Sequence, residues 1–155
     1  EAIRLCKQSK VKLDVCGADG PDLRYKQEVM NECDGYDIIF HGEVSNEKKM
    51  ELYQTCKGLI YLNSEPEVTS HKIQEAMLSG APIITTKLGA LPEIVSDGVD
   101  GYCCDSPSEF LEAIKNVDKL DPGKTLEANR LRYSPEAVCQ RYESFYEEVA
   151  GGKRW

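Results

Sequence analysis

Residues 58–86 have the sequence GLIYLNSEPEVTSHKIQEAMLSGAPIITT. Two apolar runs, 58–63 and 81–86, enclose a polar loop and a segment with helical spacing at 70–80, which predicts a strand–helix–strand unit. Gly80 stands where a helix commonly ends in a left-handed residue. Because a helix that connects two strands usually leaves them parallel, this stretch predicts a parallel sheet.

The same alternation of strands and helices continues in both directions from this unit. We predict further strands at 11–17, 36–42 and 101–105, further helices at 1–8, 22–32, 45–56, 90–98, 106–120 and 134–150, and a turn at 121–124. Near-continuous apolar runs are typical of parallel strands that are buried on both faces. The sequence therefore predicts an α/β fold, with a doubly wound, mostly parallel Rossmann-like sheet and helices on both faces.

Length, charge and cysteine content narrow the class of protein. The 155 residues suffice for one domain, and the formal net charge of −8 argues against a broad nucleic-acid or membrane-surface contact, which needs clustered Lys and Arg. No apolar run approaches the ~20 residues of a transmembrane helix. The seven cysteines lack the C-x-x-C spacing of zinc or redox sites. Since the first residues do not resemble a secretion signal, we expect a cytoplasmic protein with reduced thiols.

Ligands of such sheets bind at the carboxyl ends of the strands, so the loops after the predicted strands are candidate binding loops. The loop GADGP at 17–21 lacks the G-x-G-x-x-G spacing of dinucleotide sites, and we interpret it as a tight turn that brings backbone near a ligand. Gly17, the first residue of this loop, would allow such a close approach of the backbone.

Two carboxylates flank the start of the predicted helix at 70–80. Glu67 lies in the loop before this helix, and Glu75 lies about one and a half turns inside it. A helix N-terminus binds phosphate, and carboxylates accept hydrogen bonds from vicinal diols. The layout suits an elongated ligand with an anionic middle and hydroxyls at both ends. From the residues alone, the alternative is that both acids are ordinary solvated side chains.

Residues 67–101 combine three motifs: E-x7-E, A-M-x-x-G-x-P-I-I-x-T, and G-x-x-P-E-I-V-x-D-G-x-x-G. This combination resembles the C-terminal half of retaining GT-B glycosyltransferases, in particular glycosyltransferase family 4, the glycosyl transferases group 1. The resemblance extends over nearly the whole chain. It implies that residues 1–155 form a single donor-binding domain for a nucleotide-sugar. The enzyme would transfer a hexosyl group from that donor to an acceptor hydroxyl with retention of configuration.

The resemblance also implies roles for individual residues. Glu67 would contact hydroxyls of the donor sugar and is the residue of this chain expected to act in catalysis, whereas Glu75 would hold the ribose diol. Gly42 would lie near the base, and Gly89 would let the chain pass close over the nucleotide. The backbone amides that follow Glu67 would meet the sugar and the diphosphate; these belong to Val68, Thr69, Ser70 and His71. A helix-capping role for Ser70 and a surface role for His71 remain open.

No metal site or cofactor is expected, since GT-B enzymes generally need no D-x-D site and the sequence contains no D-x-D. Members of the family carry a Gly-Arg…Lys-Gly segment on a strand that precedes the first helix found here. We expect that strand, which would lie between the strands at 11–17 and 58–63, and the N-terminal acceptor domain to be missing from this chain. Lys72 and Lys87 lie nearby, but neither replaces those cations convincingly.

The acceptor, a sugar, a lipid-linked compound or another hydroxyl compound, would bind through the missing domain. The isolated chain is expected to transfer nothing, and the full-length protein would be cytoplasmic or peripherally attached to a membrane. A second hypothesis is a non-catalytic nucleotide-sugar-binding or scaffold module with the same fold. An epimerase would need further acid–base residues, and Glu67 is a poor candidate for a glycosidase nucleophile because the two acids do not converge on one bond.

Overall fold

A computed structural model describes residues 1–18, 20 and 22–154. The described residues form five strands: β1 Leu13–Cys16, β2 Ile38–Gly42, β3 Leu59–Tyr61, β4 Ile83–Thr86 and β5 Gly101–Cys104. They form eight α-helices: α1 Ala2–Ser9, α2 Leu23–Glu32, α3 Asn46–Thr55, α4 His71–Met77, α5 Leu91–Ile94, α6 Pro107–Asn116, α7 Pro122–Tyr133 and α8 Pro135–Ala150. A 3₁₀ turn at Val117–Lys119 follows α6. The predicted α/β class is confirmed.

Local sequence signals set several of the helix ends. The Ser45 hydroxyl caps α3 by accepting a hydrogen bond from the Lys48 N–H at 3.2 Å, and Ser106 caps α6 in the same way. Gly80 has a φ of +88°, and the Ala81 N–H that follows it donates to the carbonyl of Ala76 at 2.9 Å. The predicted starts of these helices and the left-handed glycine after α4 are confirmed.

Two predicted elements differ from the structure. The turn at 121–124 is wrong, because the Asp121 side chain caps the first turn of α7 and accepts hydrogen bonds from the N–H groups of Gly123 and Lys124. The helix predicted at 90–98 is only the single turn α5, since Val95 has an extended backbone with φ −97° and ψ 120°. Asp97 then forms an isolated parallel bridge with Gly101.

The strands are parallel but form two sheets rather than one. One sheet has the order β1-β2 and the other has the order β3-β4-β5. Among the described residues no hydrogen-bonded ladder joins β1 to β3. The break falls between β1 and β3, which is where the sequence analysis places an additional strand.

The side chains of β4 alternate between two hydrophobic cores on opposite faces of its sheet. Ile83 packs with Ile73 and Met77 of α4 and with Leu91 of α5. Ile84 packs with a second cluster that brings in α1 and α6 through residues such as Leu5, Phe110 and Ile114. Because helices cover both faces, β4 is the most deeply buried strand and fixes the position of the loop at its carboxyl end.

Two further observations concern the cysteines and the apolar character of the helices. All seven cysteines lie among the described residues and are unpaired. Over the described ranges, no helix combines the length and the apolar composition that crossing a lipid bilayer requires.

Candidate functional site

The carboxylate of Glu67 is held by a tyrosine at the end of β3. Tyr61 is the last residue of that strand, and its hydroxyl lies 2.9 Å from each of the two carboxylate oxygens of Glu67. The tyrosine ring packs against the first hydrophobic core, and Glu67 itself is half-buried. A rigid aromatic side chain therefore fixes the position of this carboxylate at the carboxyl end of the β3–β4–β5 sheet.

The backbone of Glu67 is held by the loop after β4. The Ala90 N–H donates a hydrogen bond to the Glu67 carbonyl oxygen at 2.9 Å. At the preceding residue, Gly89, φ is +59°, and an added Cβ would lie 2.4 Å from the Glu67 carbonyl oxygen and 2.7 Å from its nitrogen. Glycine is therefore required here both by the backbone conformation and by the space. The backbone at Gly89 is thus in direct contact with the loop that carries Glu67.

The residues between Glu67 and α4 differ in their exposure. Val68 is 89% exposed, Thr69 is exposed, and the Thr69 hydroxyl accepts a hydrogen bond from the Gln74 amide at 3.4 Å. Ser70 occupies the N-cap position of α4 and is buried, yet its hydroxyl makes no capping hydrogen bond to any described residue. His71, the first helical residue, is exposed. Of the two roles left open for Ser70, side-chain capping is not observed.

Glu75 lies within α4 and is paired with a lysine of the neighbouring helix. Lys49 of α3 places its Nζ 2.8 Å from Glu75 Oε2, and the two side chains are 32% and 41% exposed. Tyr53, one turn further along α3, packs against the first core near this pair. Burial raises the pKa of the Tyr53 hydroxyl, and the negative charge of Glu75 raises it further. Glu75 is thus a partly buried, ion-paired carboxylate.

Gly17 and Gly42 lie together at the carboxyl ends of the other sheet. The Gly17 N–H donates to the Gly42 carbonyl at 2.9 Å, and Gly42 has a φ of +67°. The residue before Gly42, His41, places Nε2 2.6 Å from Asp14 Oδ1 of β1. Asp19 and Pro21, which belong to the predicted turn at 17–21, lie outside the described residues. Gly42 leads into α3, and the Lys49–Glu75 pair then connects α3 to α4.

Lys87, which follows β4, is engaged by acids. Its Nζ lies 3.0 Å from Asp105 Oδ2 and 3.7 Å from Glu109 Oε2. The hydrogen bond to Asp105 is the main reason that the pKa of Lys87 is raised. The positive charge of Lys87 is thus already matched by two carboxylates.

A guanidinium holds the C-terminal end of α5. Arg132 of α7 donates hydrogen bonds to the carbonyl oxygens of Glu93 at 2.8 Å and Ile94 at 3.0 Å. These carbonyls belong to the last turn of α5, which would otherwise lack backbone partners. Since α5 starts immediately after Ala90, the same short helix is held by Glu67 contacts at one end and by Arg132 at the other.

Asp100 supports this arrangement from inside the protein. It is 1% exposed, accepts a hydrogen bond from the Ser96 N–H at 2.6 Å, and lies 3.7 Å from Arg132 Nη1. Burial raises the pKa of the Asp100 carboxyl, although its hydrogen bonds to the Ser96 N–H and to Asn129 and the charge of Arg132 act in the opposite direction. Such a buried carboxyl needs partners, and it finds them in α7 and in the loop after α5.

The structure thus brings Glu67 and Gly89 into direct contact and brings Gly17 and Gly42 into direct contact. The partners that fix the two acids, Tyr61 and Lys49, were not predicted from the sequence. For Tyr61 a signal exists in the sequence. It lies two residues after Leu59 in β3, so both side chains point to the same face of the sheet, toward the first core. Lys49 stands beside Lys48 on a charged helix, and nothing in the spacing distinguishes the two lysines.

Comparison with known proteins places this geometry in context. The family model described as glycosyl transferases group 1 matches residues 1–131. A GDP-mannose-dependent alpha-mannosyltransferase of Corynebacterium glutamicum is 32% identical over 101 residues, which cover 65% of this chain and 23% of that protein. A lipopolysaccharide 1,2-N-acetylglucosaminetransferase of Salmonella typhimurium is 26% identical over 153 residues, covering 88% of this chain and 40% of that protein.

Solved structures show the same fold. AviGT4, a glycosyltransferase involved in avilamycin A biosynthesis, has a TM-score of 0.77 at 20% identity, over 99% of this chain and 48% of that one. HepE of Anabaena, in a complex with UDP-glucose, has a TM-score of 0.72 at 17% identity, over 96% of this chain and 45% of that one. The chain therefore spans less than half the length of each of these proteins.

Proposed function

Since this chain belongs to the glycosyl transferases group 1 family, we propose that it is the donor-binding, C-terminal half of a retaining GT-B glycosyltransferase of family 4. The full-length enzyme transfers a hexosyl group from a nucleotide-sugar to an acceptor hydroxyl. The observation that carries the proposal is that both acids of the E-x7-E motif are held by partners from other elements: Glu67 by Tyr61 and Glu75 by Lys49.

Fixed carboxylates suit the recognition of a sugar and a ribose. Each acid retains acceptor capacity for ligand hydroxyls, because a carboxylate has two oxygens with about four lone-pair sites. In this proposal Glu67 accepts hydrogen bonds from the donor sugar, and Glu75 accepts them from the ribose diol. Prior fixation reduces the side-chain entropy that binding would otherwise cost.

The loop at 68–71 supplies the polar groups between the two acids. In this proposal the backbone N–H groups of Val68, Thr69, Ser70 and His71 face the sugar and the diphosphate. During transfer the bond between the anomeric carbon and the phosphate oxygen breaks, the acceptor oxygen forms the new bond to that carbon, and the proton of the acceptor hydroxyl passes to the departing diphosphate. Fixed N–H donors stabilise the charge that develops on the departing diphosphate. Gly17 and Gly42 line the base end, and Gly89 keeps Glu67 in place.

The break in the sheet supports the idea that this chain is one part of a larger fold. β1 and β3 each have an edge without a ladder among the described residues, and all the observed pairings are parallel. One parallel strand inserted between them gives the continuous order β2-β1-x-β3-β4-β5. That is the doubly wound order expected for a nucleotide-binding sheet. In this proposal the inserted strand carries the cations that meet the diphosphate, and an N-terminal domain binds the acceptor.

A binding experiment tests the proposal. The full-length protein is heated with UDP-glucose, UDP-N-acetylglucosamine and GDP-mannose, and the unfolding temperature is measured. A true donor at 100 times its Kd adds roughly 2.7 kcal/mol to the free energy of unfolding. Glu75→Ala and Glu67→Gln should lose most of this shift. Glu65→Gln, which alters an exposed acid two residues before Glu67, is the matched control and should keep it.

The outcomes separate the hypotheses. A shift that depends on Glu67 and Glu75, together with sugar transfer or slow donor hydrolysis, supports the enzyme. The same shift without either reaction supports the alternative, a non-catalytic nucleotide-sugar-binding module. If none of the three donors raises the unfolding temperature, or if Glu65→Gln and Glu67→Gln behave alike, the proposed site is wrong.

A further inference from the structure

Lys49 and Glu75 form an ion pair that connects two helices at the proposed nucleotide end of the site. The Nζ–Oε2 distance is 2.8 Å, and both side chains are partly exposed. Partly exposed ion pairs usually add little to stability, so stability alone is a weak reason for this arrangement. The neighbouring Lys48 pairs with Glu51 on its own helix at 2.9 Å, which shows that α3 already has a local ion pair of the ordinary kind.

The pair has unused hydrogen-bonding capacity on both sides. An ammonium group has three N–H donors, and only one is needed for the contact with Glu75 Oε2. Within the described part of the chain, Oε1 of Glu75 has no hydrogen-bond partner. A donor and an acceptor are therefore held side by side, about one hydrogen-bond length apart, and both have access to solvent.

We infer that Lys49 is a specificity-determining residue that, together with Glu75, selects a ribose over a 2′-deoxyribose. The inference rests on the proposed function, because it assigns a second contact within the proposed nucleotide site. Each hydroxyl of a vicinal diol can donate to the carboxylate and accept from the ammonium. In this inference the 2′-hydroxyl accepts from Lys49 while the 3′-hydroxyl donates to Glu75. Removal of the 2′-hydroxyl therefore leaves the ammonium without its partner, and sites built to bind a hydroxyl discriminate strongly against the analogue that lacks it.

The charges of the pair favour a diol over a phosphate as its ligand. The carboxylate of Glu75 offsets the positive charge of Lys49 at 2.8 Å. A phosphate placed on the ammonium would also lie close to that carboxylate, and two like charges at short range repel each other. A neutral diol meets no such repulsion and uses both members of the pair. Lys49 also orients Glu75, because its contact engages Oε2 and leaves Oε1 for the ligand.

The test compares four ligands by isothermal titration of the full-length protein: UDP, 2′-deoxy-UDP, GDP and 2′-deoxy-GDP. For the base that binds, we expect the ribonucleotide to bind about tenfold more tightly than its deoxy form, as for a hydrogen bond to a charged group. Lys49→Met, which nearly keeps the length of the side chain but removes the donor, should reduce this ratio to about twofold or less. Lys48→Met removes the same charge from the adjacent position and should leave the ratio unchanged.

Each outcome decides the inference. A ratio that survives in Lys49→Met overturns it, even if affinity or stability falls, because Lys49 would then only connect two helices. The inference is also overturned if the wild-type protein binds the ribonucleotide and its 2′-deoxy form equally well, and in that case the proposed function stands. Absence of binding by all four nucleotides overturns the proposed function and this inference together. If Lys49→Met is unstable, Lys49→Leu is used; it also lacks a donor, and the same loss is expected.

Discussion

Replacement of Gly89 by alanine is expected to displace the loop that carries Glu67. The new methyl group would lie 2.4 Å from the Glu67 carbonyl oxygen, whereas ordinary contacts begin near 3.4 Å. Relief of this overlap needs a movement of about 1 Å, which would break the 2.9 Å hydrogen bond from the Ala90 N–H. The left-handed φ of +59° adds a conformational cost of about 1–2 kcal/mol for a residue with a Cβ. The conformational cost, the lost hydrogen bond and the overpacking add up, so we expect Gly89→Ala to lower the free energy of unfolding by about 3–5 kcal/mol.

Gly98→Ala is the matched control for this prediction. Gly98 has a similar left-handed φ of +74°, but apart from its chain neighbours no described atom lies within 4 Å of the position that the new methyl group would take. It should therefore show the conformational cost alone, about 1–2 kcal/mol. Urea unfolding followed by far-ultraviolet circular dichroism measures both variants. If Gly89→Ala is no less stable than Gly98→Ala, the contact between Gly89 and Glu67 does not constrain the loop.

Three other predictions concern the surroundings of individual side chains. Tyr61→Phe should weaken the binding of UDP-glucose or GDP-mannose relative to the bare nucleotide, because Glu67 loses a hydrogen bond of about 1 kcal/mol. Binding is measured by titration, with Tyr102→Phe as the control. Equal effects of the two substitutions would refute the role of Tyr61. Hydrogen bonds from the N–H groups of Ile38 and Tyr36 lower the pKa of Asp34 below its ordinary value of 3.8, so its stabilising contribution is present above that pH and lost as the pH falls through the lowered value. Urea midpoints should accordingly fall more steeply below about pH 4 for the wild type than for Asp34→Asn, and parallel curves would contradict this. Burial raises the pKa of Cys6 to about 11 and that of Cys104 to about 12, so neither thiol should react with Ellman's reagent at pH 8 in the folded protein, whereas exposed Cys139 should; rapid modification of Cys104 would show that the second core opens.

The parts of the fold that were predicted from the sequence depend on short-range signals. Ser45 and Ser106 cap helices because their hydroxyls reach N–H groups only three residues away, and Gly80 ends α4 through its own backbone conformation. At 121–124 the local signal is ambiguous. Asp121 and Pro122 are compatible with a turn, but they are equally a cap and a first helical residue, and the packing of α7 on α4 decides between the two.

The residues of the site also fall into two groups, those that the sequence identifies and those that only the packing brings together. The E-x7-E spacing identifies Glu67 and Glu75 as candidates, but their partners come from other elements: Lys49 from the preceding helix, and the Gly89–Ala90 backbone from the following loop. Such pairings depend on how α3, α4 and the end of β4 are packed. A single sequence does not contain that information, because Lys48 and Lys49 differ only in the face of the helix on which they lie.

The hydrogen bonds that Arg132 donates to the end of α5 have a practical consequence for the choice of domain borders from sequence similarity. The family match ends at residue 131, one position before the guanidinium that holds the last carbonyls of α5. A fragment cut at that border would keep every residue of the E-x7-E motif, yet it would release the far end of the short helix that anchors Glu67. The folding unit therefore extends past the region of recognisable similarity, and truncations should be placed beyond α7 rather than at the edge of the family match.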